Sequence, residues 1–271
     1  MSFSKALPLS IALLSAIALP ALSAGITSHR AIYDIKFDSA QVNSKVSGGG
    51  GKWVLELSGA ACTGYNVSYR FVTQLDYDNG SSLLLDTRGE NFESGDGGAF
   101  DFSNSTYQDN KVVEDVKGVA ERKDGSVGVK LSRPEANDVS FPEGVQFPVQ
   151  HFIKLIEEAK AGEKFVTSTV YEGVEGGGVA FDVTAAILKE GEVEQGEALP
   201  YKALEDKKLR RWPMSLSYYR KGNESDATPE WVNSFVLYEN GVSRQFTFDY
   251  GEFKLTGVMK SLEFLPEEEC P

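Results

Sequence analysis

The stretch GAACTGYNVSYRFVTQLDY, residues 59–77, carries two signals at once. From Gly64 to Tyr77 it is rich in β-branched and aromatic residues, and it is long enough for one bent strand or two. Just before it stands Cys62, one of two cysteines in the 271-residue chain. The other is Cys270, next to the last residue. If the two thiols pair, an early strand is tied to the far C-terminus, and the last strand must lie beside the first ones.

Whether they pair depends on the compartment. The chain opens MSFSKALPLSIALLSAIALPALSAG. Lys5 precedes an apolar run over residues 6–19, Pro20 breaks the run, and the small residues Ala21, Ser23 and Ala24 follow. That is the order of a secretory signal peptide. The run falls short of the roughly 20 residues a spanning helix needs. Residues 1–24 are therefore expected to be a signal peptide cleaved near Ser23 or Ala24, with residues 25–271 forming one exported domain. An uncleaved anchor is the alternative. No second long apolar run follows, so no transmembrane segment is expected after cleavage. In an oxidising compartment an even number of cysteines usually pairs, and Cys62–Cys270 is the one intramolecular pairing available. The competing reading, a catalytic or metal-binding cysteine, finds no CxxC and only two histidines, His29 and His151.

Outward from residues 59–77 the pattern stays β. AIYDIKF (residues 31–37) alternates Tyr33, Ile35 and Phe37 against Ile32, Asp34 and Lys36. KWVLELSG, SLLLDTRGENF, AFDFSNSTYQ, VEDVKGVAERK and SVGVKLS read as further strands. FVTSTVYEG, VAFDVTAAIL, MSLSYYR, EWVNSFVLYEN, GVSRQFTFDYG and FKLTGVMKSLEFL complete the set. Asn79-Gly80, Asp96-Gly97, Asp124-Gly125 and Asn240-Gly241 are hairpin signals. The run SGGGG, residues 47–51, is expected to be a loop or a glycine-kinked bend. One segment differs. In FPVQHFIKLIEEAKAG, Pro148 suits a first helical turn, and Phe152, Leu155, Ile156 and Ala159 share one face. Gly162 is a natural stop. The charged stretch 190–208 reads as a solvated loop. The expected fold is mostly β, about a dozen strands with one central helix.

The formal net charge of -13 makes nucleic acid and anionic membrane surfaces poor partners, and favours a soluble monomer. Short motifs supply no chemistry. GGGGKW has Val46 where a phosphate loop needs glycine, and Trp53 where it needs Ser or Thr. DYDNG has its glycine one place too early for a calcium loop, and Thr87 stands where the loop needs glutamate, so a hairpin turn is expected. Glu190, Glu192, Glu194 and Glu197 read as an exposed acidic loop rather than a cation site. Past the expected signal peptide there is no G-x-S-x-G, S-x-x-K or H-E-x-x-H, so no metal, cofactor or catalytic set is expected. His151, at the edge of the apolar helix face, is either a buried structural histidine or the base of a hydrolase. Trp53, Trp212 and Trp231 are either sheet packing or the lining of a groove for an apolar or peptide ligand.

HRAIYDIKF, the glycine run before Trp53, CTGYNVSYRF, VKGVAERKDG, LSRP, FPVQHFIKLIEEAKAGEKF, WPMSLSYYR, YENGVSRQFTFDYGEF and Cys270 together resemble the cell envelope integrity protein EipB family of alphaproteobacteria. The resemblance rests on order and spacing over nearly the whole mature chain. It implies a β-spiral: a long antiparallel sheet of about fourteen strands, curled into an incomplete barrel with one α-helix and stapled by Cys62 and Cys270. It also implies a periplasmic location and a role in envelope integrity under stress, without an assigned reaction. The expected function is binding of an envelope protein or peptide-like ligand on the concave face, with Trp53, Tyr65, Gln150, His151, Trp212 and Trp231 as the surface. The alternatives are a periplasmic carrier of lipid or lipoprotein, whose ligand would be acyl, and a hydrolase using His151.

Overall fold

The structure, a computed structural model, describes residues 25–191, 204, 209–221, 228–268 and 270. The expected signal peptide and most of the acidic stretch 190–208 lie outside the described residues.

The first half of the chain is a run of antiparallel hairpins. In order they are β1 (His29–Ala40), β2 (Val46–Ala60), β3 (Gly64–Tyr77), β4 (Ser82–Glu93), β5 (Ala99–Gln108), β6 (Lys111–Lys123), β7 (Ser126–Arg133) and β8 (Asn137–Pro142). Then come β9 (Val145–Gln146), helix α1 (Pro148–Ala161), β10 (Phe165–Val170), β11 (Phe181–Ile187), β12 (Arg211–Arg220), β13 (Trp231–Tyr238), β14 (Ser243–Asp249) and β15 (Phe253–Phe264). All fifteen strands form one sheet, ordered β8-β7-β6-β5-β4-β3-β2-β1-β15-β14-β13-β12-β11-β10-β9. The chain lays strands down in one direction from β1 to β8, then returns on the other side of β1, so the last strand pairs with the first.

The two ends of this order are neighbours in the chain. Only Glu143 and Gly144 separate β8 from β9, a reach of about 11 Å. A sheet whose opposite edges are tied that closely must curl round on itself. The result is a nearly closed barrel with a seam that no strand ladder crosses. Side chains close the seam instead. Phe141 of β8 lies 5.1 Å from Tyr171, which follows β10. Phe100, Phe102, Phe147 and Tyr171 form the aromatic centre of a second core beneath the seam.

Alternation decides what points inward. On β1, His29, Ala31, Tyr33 and Ile35 are buried while Arg30 and Lys36 face out. Residues 64–77 form the single strand β3, not two. The glycine run, expected as a loop or bend, lies inside β2. A Cβ on Gly51 would sit 1.8 Å from the carbonyl oxygen of Val72, and one on Gly49 would sit 2.3 Å from that of Gln74. Glycine here permits close approach of β3 rather than ending the strand.

The helix begins at Pro148 and ends on Gly162, which is left-handed at φ 89°. Val149, His151, Leu155, Ile156 and Ala159 are buried, and Phe152 stacks on Phe235 of β13 at 5.8 Å. Its N-terminus has no local side-chain cap. Glu93, at the end of β4, accepts the N–H groups of Val149 (2.7 Å) and Gln150 (2.9 Å) instead. Lys154 donates to the Thr167 carbonyl at 3.2 Å and holds the helix along the edge of β10.

Cys62 and Cys270 form a disulfide with Cα atoms 5.7 Å apart. It fastens the C-terminal tail to the β2–β3 turn. Leu265 N–H donates to Ser28 O (2.9 Å) and Thr63 Oγ1 donates to Glu268 Oε2 (2.6 Å) alongside it. No helix among the described residues is long and apolar enough to cross a membrane.

Candidate functional site: an aromatic cavity inside the sheet

Inward-facing side chains of β1–β6 and β12–β14, with the first turns of α1, enclose a cavity of about 630 Å³. Cross-strand register builds its wall. Tyr33 pairs with Trp53, and Trp53 with Phe71, in one row across β1, β2 and β3. Trp53 stacks on Tyr33 at 4.9 Å and meets the edge of Phe246 at 4.9 Å. Phe246 and Phe248 stack in parallel at 5.5 Å on β14. Such pairs hold each other's rotamers and add to the area they bury. At the far side Tyr218 and Trp231 stack at 4.8 Å.

The polar lining is uneven. Glu93, Glu114 and Glu172 line the cavity, and among the described residues no lysine or arginine does. Burial pushes the Glu93 carboxyl up to about 7, against two helix N–H donors and the nearby Arg122. Burial, reinforced by Glu175, pushes Glu172 up to about 7. Glu114 Oε1 accepts the Gly176 N–H at 3.1 Å. His29 is 1% exposed. Its Nδ1 donates to the Thr27 carbonyl at 2.8 Å, because a carbonyl can only accept. Burial holds the ring neutral by lowering its pKa. Nε2 is therefore a bare acceptor, buried and without a hydrogen-bond partner.

Of the residues expected at a ligand surface, the structure brings Trp53 and Trp231 to the cavity. The other four are not among its lining residues. Tyr65 is fully buried beside the backbone of Ile26. Gln150 donates from Nε2 to the Gly95 carbonyl at 3.0 Å. Trp212 is buried on β12 with the Arg210 guanidinium 4.9 Å over its ring. His151 is buried in the core, and burial with nearby Lys154 lowers its pKa to about 4. DYDNG forms a hairpin turn at Gly80, and no metal-binding cluster occurs among the described residues. The sequence reading missed His29 as a lining residue and Glu93, Glu114 and Glu172 altogether. They are far apart in the chain and gather only through strand register.

The EipB-like family model matches residues 20–266. The chain belongs to the EipB-like family. It is 35% identical over 238 residues to the cell envelope integrity protein EipB of Brucella abortus (strain 2308), covering 88% of this chain and 84% of that protein. A crystal structure of a beta-barrel-like protein of a domain of unknown function, also from Brucella abortus, superposes with a TM-score of 0.79 at 35% identity. It covers 89% of this chain and 99% of that one. The solved relative shares the beta-barrel-like fold over most of this chain.

Proposed function

We propose that this protein is a non-enzymatic periplasmic factor that maintains cell envelope integrity under stress. In this reading residues 1–24 are removed on export and residues 25–271 act as one domain. Its concave face takes an apolar segment of an envelope protein or peptide-like ligand. The observation that carries the reading is the aromatic cavity on that face, whose volume falls within the roughly 300–1,000 Å³ of small-molecule sites. Trp53 and Trp231 are its proposed ligand contacts. The name of the Brucella relative supports the envelope role, and the disulfide suits an oxidising compartment. A hydrolase built on His151 gains no support, because that ring is buried away from the cavity lining.

A second reading, a carrier of lipid or lipoprotein, is favoured by the predominance of aliphatic and aromatic side chains in the lining. Both readings require an open lumen. A deletion strain of the host, challenged with detergent and wall-active antibiotics, tests them together. Wild-type protein restores tolerance. Val67→Trp or Thr87→Trp, each placing a large ring in the lumen, folds with a melting temperature within a few degrees of wild type and fails to restore it. A deletion strain as tolerant as its parent would sink the envelope role. Full rescue by both filled variants would sink the lumen as the site.

A further inference from the structure

Among the described residues, the carboxyl side chains lining the cavity, Glu93, Glu114 and Glu172, face no lysine or arginine across it. Glu93 is committed to the N-terminus of α1. Glu114 has one oxygen on the Gly176 N–H. Glu172 has no cation beside it among the described residues, and Glu175 adds repulsion. Glu114 and Glu172 converge, since both act on the Tyr69 hydroxyl, and Glu172 also acts on Tyr218. The stacked Tyr218–Trp231 pair stands beside this acidic end. A carboxylate next to an aromatic face attracts an ammonium group by charge and by the ring quadrupole. His29 also lines the cavity, and its Nε2 offers a lone pair with nothing donating to it. An anion lodged beside Glu114 and Glu172 would meet like charge, with no lysine or arginine among the described lining residues to offset it.

We propose that the cavity takes an apolar segment whose polar end is a hydrogen-bond donor, an ammonium or a hydroxyl, lodged against Glu172 and Glu114, and that it turns away segments ending in carboxylate or phosphate. This rests on the reading of the cavity as the ligand site, and the test separates the two. Calorimetric titrations of the purified protein at about pH 8, where the carboxylates are ionised, compare dodecylamine, dodecanol and dodecanoate. Trileucine amide, with and without an acetyl cap on its amino group, carries the same ammonium on a peptide.

Dodecylamine should bind at least about tenfold more tightly than dodecanoate, with dodecanol between them. In the double variant Glu114→Gln, Glu172→Gln the amine preference should fall below about threefold. Dodecanol, which carries no charge, should lose less affinity than dodecylamine in the variant, and its continued binding shows that the cavity is intact. Tighter binding of the uncapped than the capped peptide supports the proposal with a peptide as source. A preference for dodecylamine alone supports it with a lipid as source. If dodecanoate binds as well as dodecylamine and the cap makes no difference, the proposal is overturned while the cavity remains a binding site. An amine preference that survives in the double variant also overturns it. Binding by none of the probes overturns the proposal and the cavity reading together.

Discussion

Glu172 faces the cavity with no cation beside it among the described residues, so ionisation costs hydration that they do not return. Its folded pKa of about 7 lies above its ordinary value of 4.5. Above both values the folded state bears the full cost of the buried charge, and below both it bears none. Glu172→Gln should therefore raise the melting temperature by a few degrees at about pH 8, and the gain should vanish as pH falls toward the ordinary carboxyl value. Thermal melts of both proteins across that range check this, and a gain that is constant with pH would contradict it. The wild-type melt alone would mislead, because buried His29 and His151 have lowered pKa values and act in the opposite direction. Gly51 makes the opposite kind of demand on its site. Gly51→Ala would drive a Cβ into the Val72 carbonyl, at a cost of about 1–3 kcal/mol read by denaturant titration. Neither role was legible in the sequence. A glutamate shows its environment only when distant strands surround it, and a glycine run reads the same in a loop as in a tightly paired strand.

Among the elements, α1 was legible because its signals are local: Pro148, the apolar face and Gly162 lie within fifteen residues. What caps it was not, since Glu93 lies fifty-six residues earlier. The helix fills the barrel through Leu155, which is fully buried. Leu155→Ala should cost about 2–5 kcal/mol by denaturant unfolding. A loss under about 1 kcal/mol would mean that the helix is not part of the core. The long hairpin strands were equally readable, from alternation and Asn-Gly or Asp-Gly turns. The seam strands β8 and β9 were not. β9 has two residues, too few to show a period of two, and β8 shows it only in Val139 and Phe141 before Pro142. Missing them hid the way the sheet closes on itself.

For the whole molecule, the two cysteines announced the topology before any strand was paired. Their bond closes a sequence separation of 208, for which loop-closure entropy gives about 5 kcal/mol. Reduction, or Cys62→Ser alone, should lower the melting temperature by roughly 10–20 °C, and the double serine variant should be no worse than the single. An unchanged melting temperature on full reduction would show that β1–β15 pairing alone holds the ends. The cavity is the other property of the molecule as a whole, since β1–β6, β12–β14 and α1 all contribute to it. The direct measurement of its role is native mass spectrometry of the protein released from the envelope without detergent, beside Val67→Trp prepared in the same way. A bound apolar species on wild type that is absent from the filled variant is the predicted result. The bare chain mass in both would contradict the claim that this sheet curls around a ligand.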